Sequence, residues 1–176
     1  NHQMMELEEG MIVHILKEVL STNRAELEFL RRDISVLENI KAPFDKMKYD
    51  DVLDKLNSMG FDLGWGDDFG YKEEKALTQE LKSPLYITNF PREKGFYHRP
   101  DPNDPKSLVC HDLLAPEGYG EIIRGGERVW SPDDLIERIK EEGLEPESYG
   151  WYLDIREFGS VPHSGFGLSI DRTISR

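Results

Sequence analysis

The chain holds a single cysteine, Cys110, among 176 residues. That excludes an intramolecular disulfide framework and a zinc site built on several thiolates, and it suits a reducing compartment such as the cytoplasm. Cys110 sits in Ser107-Leu-Val-Cys110-His111, where the apolar neighbours indicate a buried strand residue rather than a nucleophile. Long apolar runs are also missing: nothing approaches the roughly 20 residues that a membrane helix needs. The first residues lack the basic-then-apolar pattern of a secretory signal. Basic residues are scarce, 22 against 35 acidic ones, and the formal charge of -13 excludes sequence-blind attraction to a nucleic-acid backbone through this segment. Any grip on nucleic acid must come from another region. No internal repeat or low-complexity stretch is present.

What is there describes a folded chain. Aromatic residues make up 10% and hydrophobic residues 38%, too many for a disordered tail, and the length fits one domain over 1–176. From Met4 to about Arg32 the apolar positions Leu7, Met11, Ile15, Leu16, Val19, Leu20, Leu27 and Leu30 recur at helical spacing, which predicts one long amphipathic helix or two. Glu6, Glu8 and Glu9 near its start suit either a helix N-terminus or a site. Lys41-Ala-Pro-Phe44 interrupts it. A short helix is expected over 49–60, opened by an aspartate cap and closed by Gly60, and another over 72–81. Between them Asp67 and Asp68 read as a cap or a cation site.

Strands are predicted over 85–90, 107–114 and from Glu121 onward, with Arg99 to Pro105 as a loop. Ser131-Pro-Asp-Asp has the cap, proline and acidic first turn of a surface helix. An aromatic-rich helix over 145–158 is expected to pack on the sheet. The glycine-rich stretch from Gly159 to Arg172 reads as a strand on which a flat ligand can lie close.

The chemistry concentrates in Asp112-Leu-Leu-Ala-Pro-Glu-Gly-Tyr-Gly-Glu121 and the following Gly125-Gly126-Glu-Arg128. Asp112 and Glu121 are near enough in sequence for adjacent strands to aim both at one hard cation; magnesium favours a few carboxylates plus phosphate oxygens. Solvated surface carboxylates remain the alternative. The planar fork of Arg128 can read a carboxylate or amide oxygen at two points, and Arg172 lies beside the second glycine cluster. His163 has no nucleophile and third partner arranged around it, so no catalytic triad is indicated, and a substrate-contacting or structural role is expected.

Three segments together resemble the archaeal-type asparaginyl-tRNA synthetases, class II enzymes related to the aspartyl ones. They are Trp65-Gly-Asp-Asp-Phe69, Asp112 through Ile123, and Gly159-Ser-Val-Pro-His163-Ser-Gly-Phe-Gly-Leu168, in the family's order. The resemblance implies an α+β fold, an antiparallel sheet flanked by helices, that activates asparagine with ATP and magnesium and passes it to tRNA. On that model Asp112 and Glu121 match the magnesium-ATP carboxylates. Arg128, with Gly126 beside it, matches the reader of the amino acid, and Arg172 the catalytic arginine of the third class II motif at the ATP. His163 borders the amino-acid pocket, and Gly165 and Gly167 the ATP.

The resemblance also marks departures. Arg124 puts a charge where the family has glycine, and Ser169-Ile-Asp171-Arg172-Thr173 departs from the usual Gly-x-Glu-Arg ending. It further implies a core incomplete at both ends: the first two class II motifs, the dimer seam and the anticodon-binding barrel would lie upstream, so tRNA contact and homodimer formation fall to regions outside this chain. No membrane partner is expected. Two alternatives stay open: an ammonia-dependent asparagine synthetase paralogue that activates aspartate, and a non-catalytic paralogue that kept the fold.

Overall fold

The computed structural model describes residues 1–175. The N-terminal periodicity resolves into two helices, α1 (His2–Thr22) and α2 (Arg24–Phe29), broken at Asn23. A third, α3 (Ile34–Asn39), follows Asp33, whose carboxylate accepts the Ser35 N–H at 3.0 Å and so caps it. The inward stripe of α1 is not purely apolar: Met5 and Ile12 are buried, and so are Glu8 and Glu9.

Strand β1 (Asp45–Lys48) leads directly into α4 (Tyr49–Ser58). The expected aspartate cap is absent. Lys48 occupies the cap position, and Asp50 and Asp51 lie in the first turn, where their charge still complements the helix dipole. Then come α5 (Tyr71–Thr78) and β2 (Leu85–Thr88). The stretch expected as a loop is instead a small hairpin, β3 (Pro100–Asp101) and β4 (Asp104–Leu108). Asp101 Oδ1 accepts the Asn103 N–H at 2.9 Å and closes its turn, an Asx device that composition alone does not separate from open loop.

The main sheet is completed by β5 (Cys110–Ala115), β6 (Gly120–Glu127) and β7 (Ser164–Leu168), in the order β1-β2-β5-β6-β7. β1 and β2 are parallel and every other pair is antiparallel, so the α+β expectation holds with one parallel edge. Between β6 and β7 lie α6 (Pro132–Glu141), capped by Ser131, and α7 (Gly150–Glu157); α8 (Ile170–Ile174) follows β7. Among the described residues no helix is long and apolar enough to cross a membrane.

Each sheet face has its own core. On one, Leu85, Ile87, Cys110 and Leu114 meet Tyr49, Val52 and Leu56 of α4 and Leu77 of α5. On the other, Tyr86, Leu113 and Ile123 meet Met5 and Ile12 of α1. The aromatic helix does not pack on the sheet as expected: Tyr149, Tyr152 and Leu153 join Leu135 and Ile139 of α6 in a separate cluster, while Trp151, Ile155 and Phe158 are exposed. Arg172 also departs from expectation. It does not close a strand but lies on α8, because the Ser169 hydroxyl accepts the Arg172 N–H at 3.3 Å and starts a helix.

The ladder between β5 and β6 is interrupted once. Leu113 faces Ile123 but Leu114 faces Glu121, so Ile122 has no opposite number and forms a bulge.

Candidate functional site

Side chains alternate along β5, so Cys110, Asp112 and Leu114 point to the α4–α5 face and His111, Leu113 and Ala115 to the α1 face. The register sets Asp112, Arg124 and Gly167 in one row across three strands, and Cys110, Gly126 and Gly165 in the next. These rows form the floor of the site.

Glycine is required at Gly126: a Cβ there would come within 2.6 Å of His98 Nδ1 and 2.8 Å of Cys110 Cα. A Cβ on Gly165 would meet Arg128 Nη2 at 3.4 Å, an ordinary contact, and one on Gly167 would meet nothing within 4 Å. Gly167 is therefore open floor, whereas Gly126 is packed. Gly120, the first residue of β6, has φ of +80°, and a Cβ there would run into the Glu74 carboxylate.

Over the first row Arg124 is a clasp. Its Nε donates to Asp112 Oδ1 and its Nη2 to Asp112 Oδ2, both at 2.9 Å, and Nη2 also reaches Glu121 Oε2 at 2.9 Å. The Asp112 side chain is 8% exposed and that of Arg124 55%. Burial pushes the Asp112 carboxyl up to about 7, against the opposing pull of the Arg124 guanidinium. On the far side of Glu121, Arg172 Nη1 donates to the Glu121 carbonyl oxygen at 3.0 Å. Glu74 of α5 completes the cluster by accepting the Glu121 N–H at 2.9 Å, and burial raises its pKa. Arg124, Arg172, Glu74, Glu121, Tyr71 and Tyr119 line a cleft of about 360 Å³.

Arg128 sits at the second row. Its Nη2 donates to the Gly165 carbonyl at 3.0 Å, its Nη1 lies 3.0 Å from His98 Nδ1, and its guanidinium carbon is 5.3 Å from the Tyr97 ring centre. His98 is buried, and burial, followed by the charge of Arg128, pushes its pKa down to about 3. It is therefore a neutral acceptor that holds the arginine without repelling it. Lys94 and Asp68, paired at 2.8 Å, share a small recess with His98, Cys110, Asp112 and Arg124.

The sequence-predicted residues divide into three groups. Asp112, Glu121 and Arg172 come together around Arg124; Gly126, Gly165 and Arg128 come together beside His98. His163 joins neither by its ring, which is exposed with Nδ1 2.8 Å from the Val161 carbonyl and which lines another cleft with Gln3, Met4, Leu7 and Glu127. Its backbone does contribute, since the His163 carbonyl accepts the Arg128 N–H at 2.9 Å. The Asp67–Asp68 pair is split: Asp67 Oδ2 accepts the Gly64 N–H at 2.7 Å, and Asp68 pairs with Lys94. Trp65 and Phe69 of the same segment pack on Tyr49. Cys110 is a buried strand residue as expected, its thiol pushed up to about 12 by burial.

Sequence reasoning missed Glu74, Tyr97, His98 and the part played by Arg124. Gly70-Tyr-Lys-Glu-Glu74 reads as an ordinary acidic helix start, and only tertiary packing carries Glu74 to Glu121. As they stand, Asp112 and Glu121 do not fit a divalent cation, because Arg124 takes three of their four carboxylate oxygens. Among the described residues no group of three or more histidine, cysteine or acidic side chains is placed to hold a metal ion.

Comparison with known proteins is consistent along the chain. The family model for tRNA synthetases class II (D, K and N) matches residues 1–176. The asparagine–tRNA ligase of Thermoplasma acidophilum is 46% identical over 173 residues, and that of Pyrococcus abyssi 45% over the same span. Each match covers 98% of this chain but only 40% of the relative, so the chain spans about two-fifths of the length of the curated relatives it matches. Among solved structures, asparaginyl-tRNA synthetase from Pyrococcus horikoshii complexed with asparaginyl-adenylate superposes with a TM-score of 0.92 at 44% identity, over 98% of this chain and 40% of that one. An aspartyl tRNA synthetase from Entamoeba histolytica gives 0.86 at 27% identity, over 98% and 37%.

Proposed function

Because the chain belongs to the tRNA synthetases class II (D, K and N), we propose that it carries the ATP and amino-acid sites of an asparagine-activating ligase core. The reaction is attack of the asparagine α-carboxylate on the α-phosphorus of ATP. A carboxyl–phosphate bond forms, the bond to the β-phosphate breaks, and pyrophosphate leaves with the electron pair. The whole protein then passes the aminoacyl group to tRNA. The superposition on the asparaginyl-adenylate complex is the observation that carries this reading.

The residues divide the work by charge. Arg124 and Arg172 line the cleft beside Glu74 and face the triphosphate, whose charge grows on the leaving pyrophosphate. Arg128, steadied by neutral His98 and the Gly165 carbonyl, presents its fork to an oxygen of the amino acid. Gly167 leaves the strand surface bare so that a flat adenine or ribose can lie on it, and Gly165 beside it seats the Arg128 guanidinium. Glu74 holds the Glu121 backbone and so sets where Arg172 docks. Asparagine and ATP are the substrates proposed, tRNA the acceptor, a homodimer the assembled state and the cytoplasm the location. Magnesium accompanies ATP in this family, but no step is assigned to it at Asp112 and Glu121.

Pyrophosphate exchange into ATP tests the reading: asparagine supports exchange and aspartate does not. Exchange driven by aspartate, with asparagine formed on adding ammonia, would move the assignment to the amide-forming alternative. Absence of ATP binding would overturn both.

A further inference from the structure

We propose that Arg124 is a built-in cation that takes the place of a divalent metal between Asp112 and Glu121, and that it meets a phosphate oxygen of the bound nucleoside triphosphate directly. The proposal rests on the ATP reading for its second half only.

The geometry is that of a filled cation site. Two carboxylates on one sheet face converge on a single positive group that engages Asp112 at both oxygens and Glu121 at one, all at 2.9 Å. A metal entering here would have to expel the guanidinium from a planar, two-point pair with a carboxylate that is nearly removed from water. Arg124 is also not spent by these contacts. Nε and Nη2 make all three, and Nη1 has no protein partner among the described residues, on a side chain 55% exposed toward the cleft that Arg172 shares. One edge of the guanidinium thus faces the acids and the other faces the ligand. A bridging metal does the same between carboxylates and phosphates, but a guanidinium carries one charge instead of two and cannot be removed by a chelator. Arginine here therefore makes triphosphate binding independent of free divalent ion at this position.

The test uses the protein in parallel with Arg124→Gly and Arg124→Lys, all at the same pH. Manganese binding without nucleotide is followed by the loss of the free-ion electron paramagnetic resonance signal. Arg124→Gly is expected to gain a site that the parent lacks and that Arg124→Gly/Asp112→Asn loses again. A parent that already binds manganese in a manner abolished by Asp112→Asn would overturn the proposal. ATP binding is then measured by calorimetry in excess chelator. The parent is expected to hold ATP at least about tenfold more tightly than Arg124→Gly, the scale of one charge-assisted hydrogen bond, with the gap closing when magnesium is restored. Equal affinities in chelator would overturn the phosphate contact. Arg124→Lys keeps the charge on a side chain that cannot fork, so it should exclude manganese while binding ATP at an intermediate level; manganese entry into this variant would contradict the role of charge. If neither parent nor variants bind ATP under any condition, the nucleotide reading and the phosphate contact fail together. The manganese comparison still decides whether Arg124 fills the cation position.

Discussion

His111 and Asp112 are neighbours on one strand, yet they belong to opposite kinds of polar cluster. On the α1 face His111 is fully buried, with Nε2 2.8 Å from Glu8 Oε1 and Nδ1 3.0 Å from Asn1 Oδ1; the Tyr86 hydroxyl donates to Glu8 Oε2 at 3.1 Å. Each of these side chains finds its partner inside the fold, and His111, Glu8 and Tyr86 are all fully enclosed. On the other face Asp112 is almost as buried, but its partner Arg124 stands half in solvent with an edge unused. Burial alone does not separate scaffold from site. What separates them is whether the partners of the buried group are themselves enclosed or open to a ligand.

The largest test of this contrast removes an enclosed partner. Glu8→Ala leaves His111 Nε2 without its buried partner and the Tyr86 hydroxyl with the Met5 carbonyl alone, and a loss of about 3–5 kcal/mol in urea unfolding is expected, as for half of a buried pair. A loss under about 1 kcal/mol would mean that the α1 face is not the saturated scaffold described. Next, Arg128→Ala on the open face should weaken asparagine binding by about 1.5–3 kcal/mol, ten- to more than a hundredfold by calorimetry, with ATP binding spared. Equal loss of both ligands would place Arg128 in the scaffold.

A third test concerns pH. His98 has a folded pKa of about 3, below its unfolded value, so the native state binds fewer protons than the unfolded one between those two values. The stability His98 contributes is complete above the unfolded pKa and declines as pH falls toward 3, by up to about 1.4 kcal/mol per unit. Urea unfolding at pH 7 and pH 5 should therefore show a smaller acid loss in His98→Gln than in the parent; parallel losses would contradict a neutral, buried His98. The smallest effect is expected at the open floor. Gly167→Ala should change stability by no more than about 0.5 kcal/mol, since its Cβ meets nothing, while any weakening of ATP binding would locate the nucleotide against β7.

Much of the fold was legible because its signals are local. The Ser131-Pro132 start of α6 and the alternating strands follow from capping chemistry and side-chain period. Misses came where tertiary partners override local chemistry. Ser107 to Leu114 reads as one strand but is divided at Val109, whose N–H bonds to the Arg99 carbonyl of the hairpin arm. The aromatic helix α7 found α6 rather than the sheet because Phe96, carried in from a distant loop, fills the gap between them. For the site, Asp112, Glu121, Arg128 and Arg172 were visible as residue types beside glycines. Glu74 and His98 were not, since nothing in their own segments distinguishes them from a surface acid and a loop histidine. Arg124 was visible as an intrusion, but its use as a clasp depends on strand register.

That register is set by the bulge at Ile122. In an unbroken strand, residues three apart point to opposite sides, so Glu121 would turn toward α1 while Arg124 faced the cleft. One uncounted residue reverses the parity of everything before it and brings the two side chains to the same side, within 2.9 Å. Deleting Ile122 would leave Glu121 and Arg124 two apart on a regular strand and keep the salt link, whereas straightening the ladder with Ile122 retained and paired would turn Glu121 toward α1 and lose it. The charge balance of the cleft is thus written in backbone arithmetic as well as in the choice of acid and base.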